Sequence, residues 1–395
     1  MSFSANLNSS IPAELADELL KKLAYVSEAL VECEFVSGGR DQVSFRLQQG
    51  QEHQAQTVAG RIVEVADKLS KTRVPPSAKV LVSRKDRPAS FSADPHPELE
   101  ARGELFRYGS GRYGFGPLLT RLMSLFDRDA CGLAARMAAT PHQFPSLIGA
   151  DALDRCRYLR TFPSALTLVS HLREDSEAIQ KFAGEARWDG NHLVHSPESL
   201  SSIQCLLAPS VCFHYYAWLQ DRQLPGPSCI TALGKCFRYE SRSMAGLERL
   251  WDFAMREVIF AGPQQYVLDQ RRRVMDLTVE LLDRWDLRYE IRSATDPFFI
   301  EDYASMAAFQ LAFELKFEIL APLPYKQKDL AIGSLNYHQD FFGRSFNFTG
   351  PQGEPFCTGC LGYGLERVVL AFLAQHGLDP DCWPAAIAAE FSRPE

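Results

Sequence analysis

Apolar residues recur at helical spacing near the start of the chain. Leu15, Leu19, Leu23, Val26 and Leu30 fall on one face, which predicts a helix from Ile11 to Val31. QVSFRLQQ alternates and predicts a short strand; a polar helix from about His53 to Ser70 and a strand, AKVLVS, follow. Together they predict a compact α+β unit over residues 1–85. RKDRPASFSADPHPELEARG is rich in proline, serine and charge and predicts a linker over residues 86–104. From there to residue 395 the pattern is that of one larger domain. A helix is expected from Pro117 to Ala138, then a strand, HQFPSLIG, with Pro145 inside it. From Cys229 a series of apolar strands follows: CITALGKCFRYES, WDFAMREVIFAG, LKFEILAPL, DLAIGSLNYHQ and SFNFTG. A last helix is expected from Gly364 to His376. Strands in succession with helices between and after predict an α+β domain, a large antiparallel sheet backed by helices.

Composition narrows the classes. The chain has 395 residues, 46% hydrophobic and 23% charged, which suits a soluble enzyme. Its formal charge of -7 argues against extensive nucleic-acid binding, which usually shows a basic surplus. The start, MSFSANLNSSIPAELADELL, lacks a basic segment followed by an apolar run, so no signal peptide is expected, and no stretch is apolar enough to span a bilayer. The expected compartment is the cytoplasm, where the ten cysteines stay reduced and most serve as small core residues.

Two segments carry candidate chemistry. Phe237-Arg238-Tyr239-Glu240 ends an apolar strand, with Arg249 and Phe253 following across a short loop. By composition alone such an arginine and glutamate are an ordinary surface ion pair. In CLGYGLERVVLAFL, Gly362 and Gly364 alternate with apolar residues and a helix begins where they stop. Alternate glycines strip side chains from one face, so that a ligand can approach the backbone, or so that a helix can pack there. Arg367 falls in the first helical turn, where a cation opposes the helix dipole, a small cost that an anionic ligand would offset.

These segments resemble the signature motifs of class II aminoacyl-tRNA synthetases. The second motif of that class, F-R-x-E, a loop, then His or Arg, three residues and Phe, is matched by Phe237 to Glu240, Arg249 and Phe253. The third alternates glycine and apolar residues up to Glu366-Arg367, with Cys360 where the first glycine would stand. Residues 117–146, with Pro145, fit the first motif, which forms the subunit interface in that class and implies a homodimer. The resemblance implies that Arg238 holds the α-phosphate of ATP and Arg367 the γ-phosphate. Phe253 and the stem of Arg367 would sandwich the adenine, with Glu240 fixing the base or orienting the arginine.

LAPSVCFHYY, GKCFRYES, FAMREVIFAG, LKFEIL, LNYHQDFFG and CTGCLGYGLERVV narrow the likeness. They are similar to segments of amino acid:carrier protein ligases, bacterial relatives of archaeal-type seryl-tRNA synthetases, from about residue 105 onward. The resemblance implies a zinc ion held by Cys212, Glu257 and Cys360, its open position taking the substrate's α-amino group. Any one of these three, taken alone, reads as a buried thiol or a salt-bridged carboxylate. Lys316, Glu318 and Asn336 match segments lining the amino-acid and ATP pocket. Magnesium is expected with ATP, but its ligands have no match; Asp329 stands out of register.

The expected reaction is activation of a small amino acid, glycine or alanine, as its adenylate. The acyl group then passes to the phosphopantetheine thiol of a carrier protein. The short loop before Arg249 and the lack of two long paired N-terminal helices argue against tRNA as acceptor. One departure stands out: IEDYASMAAFQLAFE, where the carrier ligases have a basic docking helix, contains no Lys or Arg, and Ala307 to Phe313 reads as a plain buried helix. The N-terminal unit, or the basic run Arg271-Arg272-Arg273, is an alternative partner surface. A seryl-type tRNA synthetase and a retired paralogue acting as a binding module are the competing readings.

Overall fold

The computed structural model describes residues 2–36, 39–70, 78–240, 244, 246–295, 310–311, 313–326 and 328–392, without the side chains of Glu14, Asp17 and Lys21. An eight-stranded sheet organises the molecule. From edge to edge it runs Val80–Ser83, Glu290–Ser293, Lys316–Leu323, Lys328–Gln339, Cys357–Gly364, Asp252–Gly262, Ser228–Phe237 and Thr140–His142. All neighbours are antiparallel except the last pair, which is parallel. This is the mixed α+β architecture the sequence predicts.

Alternation sorts the strands into two faces. Phe317, Ile319, Leu335, Tyr337, Leu361, Tyr363, Val258 and Phe260 point to one side and are buried under the helices Pro117–Arg136, Gln264–Arg284 and Leu365–His376. The last of these helices is buried along nearly its whole length, so it runs through the core. The opposite face is half-open and carries the candidate site. One end of it is closed by a second apolar cluster that includes Tyr216, Phe342, Phe346, Phe348 and Phe356.

The N-terminal part has its own core. A three-stranded antiparallel sheet of Ser2–Asn6, Gln42–Leu47 and Leu30–Phe35 packs against the helices Ala13–Leu23 and Ala55–Ser70. The first helix is shorter than its periodicity predicts. It stops at Leu23, and Leu30 reaches the core through a strand paired opposite Leu47. LVECEF alternates, and pairing serves it better than a further helical turn.

Three other segments differ from expectation. AKVLVS leaves the N-terminal unit and forms an edge of the large sheet, paired with Glu290–Ser293. The stretch read as a linker is packed: Leu99 is fully buried, and the Phe91 amide donates to the Gln375 carbonyl at 3.1 Å. HQFPSLIG is two strands, Thr140–His142 and Leu147–Gly149, in different sheets on either side of Pro145, which has no N–H for a ladder. SFNFTG is no strand. The helix Phe341–Ser345 runs into it, burying Phe342 and Phe346 one turn apart, and Asn347 at φ 53° ends the turn.

Candidate active site

Pairing register brings the predicted residues together. Across the open face, Lys316 lies opposite Asn336, and Glu318 opposite Ser334. Asn336 in turn lies opposite Cys360, and Ser334 opposite Gly362. Glu257 is opposite Gly362, two residues from the partner of Cys360. Side chains on one face of neighbouring strands meet in this way. Segments far apart in sequence therefore form one continuous surface.

The glycines of the central strand leave that surface accessible. A β-carbon added at Gly362 would meet Met255 and Glu257 at 3.4 and 3.5 Å, and one at Gly364 would find its nearest atom at 3.9 Å. Side chains of the neighbouring strand and of Arg367 in ordinary van der Waals contact, rather than a tightly packed helix, lie over this part of the strand.

At one end of the face stand three guanidinium groups. Arg238 donates through Nε to the Pro209 carbonyl at 2.9 Å and lies over the Phe253 ring at 5.5 Å. Arg249 is paired with Glu240. Arg367 donates to the carbonyls of Glu248 at 2.7 Å and Ala331 at 3.1 Å. Burial pushes the Arg367 guanidinium below its usual range, and the charges of Arg249 and Arg238 add to this against Glu240 and Glu318. Such a concentration of half-buried cations suits a polyanion.

Glu366, beside Arg367, has a different task. Both of its carboxylate oxygens accept the Ala254 N–H, at 2.8 and 2.9 Å, where the sheet opens towards the motif loop. Burial raises its carboxyl to about 7. A carboxyl raised in the folded state contributes stability below its unfolded value, and that contribution is lost as pH rises through about 7. A Glu366→Gln variant keeps an acceptor for Ala254 and removes the titration. Urea unfolding should find it more stable than the parent at pH 8, by up to about 3 kcal/mol, and similar at pH 4. A difference equal at both pH values would assign the effect to packing.

At the other end, one ligand atom from each of Cys212, Glu257 and Cys360 lies within 4.8 Å of the others, and all three residues are buried. Cys212 opens the helix Cys212–Trp218, while the other two come from adjacent strands. Glu257 Oε1 accepts from Ser210 Oγ at 2.8 Å and from the Val211 amide at 3.1 Å, and Oε2 is buried with no partner. Burial, then the Cys360 charge, raises this carboxyl to about 7. The Cys212 thiol donates to Cys360, which holds Cys360 well below the usual thiol range and Cys212 well above it. Two sulfurs sharing a proton beside an unsatisfied carboxylate oxygen form a buried, anionic set of three donors that fits a thiophilic dication. Binding such an ion displaces the shared proton.

Several residues here were not singled out in the sequence. His338 Nε2 lies 4.0 Å from Cys360 Sγ, and its Nδ1 lies 3.0 Å from Thr358 Oγ1. Ser210 approaches Cys212 Sγ at 3.3 Å as well as Glu257, and the Asn336 amide lies 3.5 Å from Cys360 Sγ. His338 sits two residues from Asn336 on the same strand, so alternation could have found it; Ser210 belongs to a loop and left no periodic signal. Lys316 and Glu318 pair at 3.1 Å. Asp329 is bound to Lys85 at 2.7 Å, away from the arginines. Arg271 donates to the Glu314 carbonyl and lies over the Phe317 ring at 4.6 Å, so it belongs to the helix side of the sheet. Tyr25 of the N-terminal unit hydrogen-bonds Ser164 and feels the charges of Glu240 and Arg249, so that unit reaches the rim of the site. Residues 300–309 and 312 of the expected docking segment lie outside the described residues, and Phe313 near its end is exposed rather than buried.

No protein-family model matches the chain. Its fold is similar to that of M. kandleri SerRS, solved in complex with A. aeolicus tRNASec. The TM-score is 0.70 at 22% identity, covering 98% of this chain and 76% of that one. Sequence comparison finds a type-2 serine–tRNA ligase of Methanococcus aeolicus, 26% identical over 326 residues, or 80% of this chain and 62% of the relative. It also finds amino acid–acyl-carrier-protein ligase 2 of Bradyrhizobium diazoefficiens, 32% identical over 252 residues, or 62% of this chain and 72% of the relative. The fold is that of the class II aminoacyl-tRNA synthetases, and the protein is a ligase. Within that class the chain belongs to the amino acid–acyl-carrier-protein ligase family.

Proposed function

We propose that the protein activates a small amino acid, glycine or alanine, with ATP and transfers it to the phosphopantetheine thiol of a carrier protein. The observation that carries this reading is the shared sheet face, with Arg238, Arg249, Arg367 and Phe253 at one end and Cys212, Glu257 and Cys360 at the other. A substrate carboxylate oxygen attacks the α-phosphorus, the bond to the bridging oxygen breaks and pyrophosphate leaves. The carrier thiolate then attacks the anhydride carbonyl and AMP leaves. Positioning and charge stabilisation dominate such steps. Arg238 holds the α-phosphate and Arg367 the γ-phosphate of the magnesium complex of ATP. Phe253 and the stem of Arg367 hold the adenine, with Glu240 keeping Arg249 in place. Lys316, Glu318 and Asn336 line the space between the two ends.

Zinc fits the Cys212–Glu257–Cys360 donor set. When bound, it offers a Lewis-acid position to the free α-amino group, which selects amino acids over other carboxylates. His338 and Asn336 orient Cys360 through the contacts given above.

The protein acts as a homodimer through Pro117–Arg136 and the strands after it. Its compartment is the cytoplasm; among the described residues no helix is long and apolar enough to cross a membrane. The N-terminal unit, whose Tyr25 touches the rim of the site, supplies acceptor-binding surface. Transfer to tRNA is the second reading, favoured by the likeness to M. kandleri SerRS, which extends over 98% of this chain.

Amino-acid-dependent ATP–pyrophosphate exchange, measured across the common amino acids with zinc supplied, tests the first step. A signal confined to one or two small amino acids is expected, followed by loading of a phosphopantetheinylated carrier and not of total tRNA. Exchange with none of them would leave a binding module as the reading; charging of tRNA alone would favour the second.

A further inference from the structure

The loop that carries Arg249 and meets Arg367 is held from outside the motifs. Two consecutive amides of its short 3-10 turn, Gly246–Glu248, donate to side chains from the stretch before the first motif. The Gly246 N–H meets Tyr113 Oη at 3.2 Å, and the Leu247 N–H meets His96 Nε2 at 3.1 Å. The next carbonyl, Glu248 O, accepts from Arg367 Nε at 2.7 Å, and Arg249 follows directly. His96 therefore stands two bonded steps from the guanidinium assigned to the γ-phosphate.

The contacts fix the state of the ring. A backbone N–H can only donate, so Nε2 is the acceptor and the proton sits on Nδ1, 2.7 Å from Asp94 Oδ1. Asp94 also accepts the His96 amide at 3.0 Å, which anchors the carboxylate at the start of the helix His96–Ala101. Gly246 has φ +54°, and a β-carbon there would lie 2.4 Å from His96 Nε2, so the loop backbone is packed onto the imidazole itself. Tyr325 meets the ring edge-on at 6.4 Å and donates to Glu248 Oε1 at 3.2 Å, where Lys326 also binds. Asp94, Tyr325, Glu248 and Lys326 are thus the titratable groups around His96.

We propose that His96, oriented by Asp94, is a positioning residue for ATP binding: its neutral Nε2 holds Leu247 so that the Glu248 carbonyl and Arg249 present the phosphate-binding arginines. This rests on the reading of Arg249 and Arg367 as ATP ligands.

The test compares His96→Ala, His96→Gln and Asp94→Asn with the parent in the full-length protein. A glutamine oxygen can stand where Nε2 does and accepts a hydrogen bond. His96→Ala is expected to raise KM for ATP in pyrophosphate exchange about tenfold with kcat nearly unchanged; Asp94→Asn should do so less, and His96→Gln should restore most of the affinity. Amide hydrogen exchange at Leu247 gives a readout that needs no substrate: protection should fall in His96→Ala and be largely kept in His96→Gln. Unchanged Leu247 protection in both His96→Ala and Asp94→Asn would overturn the proposal, as would a KM for ATP that follows only the loss of thermal stability. Absence of exchange activity in the parent would count against the ATP-site reading, while Leu247 protection would still decide whether His96 positions the loop.

Discussion

Arg238→Ala should lower amino-acid-dependent ATP–pyrophosphate exchange by about three orders of magnitude, the scale on which loss of a pre-organised charge donor is felt. The half-buried guanidinium is held through Nε by the Pro209 carbonyl at 2.9 Å and lies over the Phe253 ring at 5.5 Å. Its plane is thus set before any ligand arrives, and the electrostatic stabilisation of the transition state requires no reorganisation. Arg238→Lys should recover little, because an ammonium cannot keep the Pro209 contact and present a planar fork at the same time. Thermal unfolding should change only modestly in either variant. Exchange within tenfold of the parent in Arg238→Ala would remove this residue from the phosphate site.

The second large effect concerns the cysteines. Cys360→Ser should reduce bound zinc, measured by elemental analysis after dialysis, from one ion per chain to nearly none. Exchange should fall at least about a hundredfold with it. Cys357→Ser is the internal control. It lies three residues away on the same strand but faces the helices, where the Tyr337 hydroxyl lies 3.8 Å from its sulfur, so zinc content and exchange should both survive. A chelator should reproduce the Cys360→Ser result in the parent, and added zinc should reverse it. Metal and activity persisting in Cys360→Ser would refute the proposed zinc site.

The candidate site residues came from the sequence through motif resemblance, since each taken alone reads as a core thiol, a surface pair or a buried carboxylate. Glu257, Asn336 and Cys360 sit in apolar strands whose alternation gives the face, and Arg367 lies in the first turn of the helix that follows the last of them. What failed did so where local pattern and tertiary pairing disagree. Leu30 continues the helical stripe of Leu15, Leu19 and Leu23, yet it is buried through a strand opposite Leu47. Val80–Ser83 looks local to the N-terminal unit but pairs with a strand more than two hundred residues on, a register no local pattern encodes. The stretch from Arg84 to Glu104 has the composition of a linker, and its role depends on single contacts such as His96 to Leu247, which leave no periodic trace.

The position of Cys357–Gly364 in the sheet has a consequence for the chain during its synthesis. It is the last strand of the sheet to leave the ribosome, yet it lies in the middle, between Lys328–Gln339 and Asp252–Gly262. Until it emerges, the nascent sheet exists as two halves with two facing, unpaired edges, an invitation to pairing between chains. Cys360, Gly362 and, just beyond, Arg367 arrive with it. A chain interrupted between residues 340 and 356 is left with two open half-sheets and lacks Cys360, Gly362 and Arg367. The residues proposed for the metal and the phosphates therefore arrive together with the strand that closes the aggregation-prone edges, and products truncated between residues 340 and 356 should be found among insoluble or chaperone-bound material.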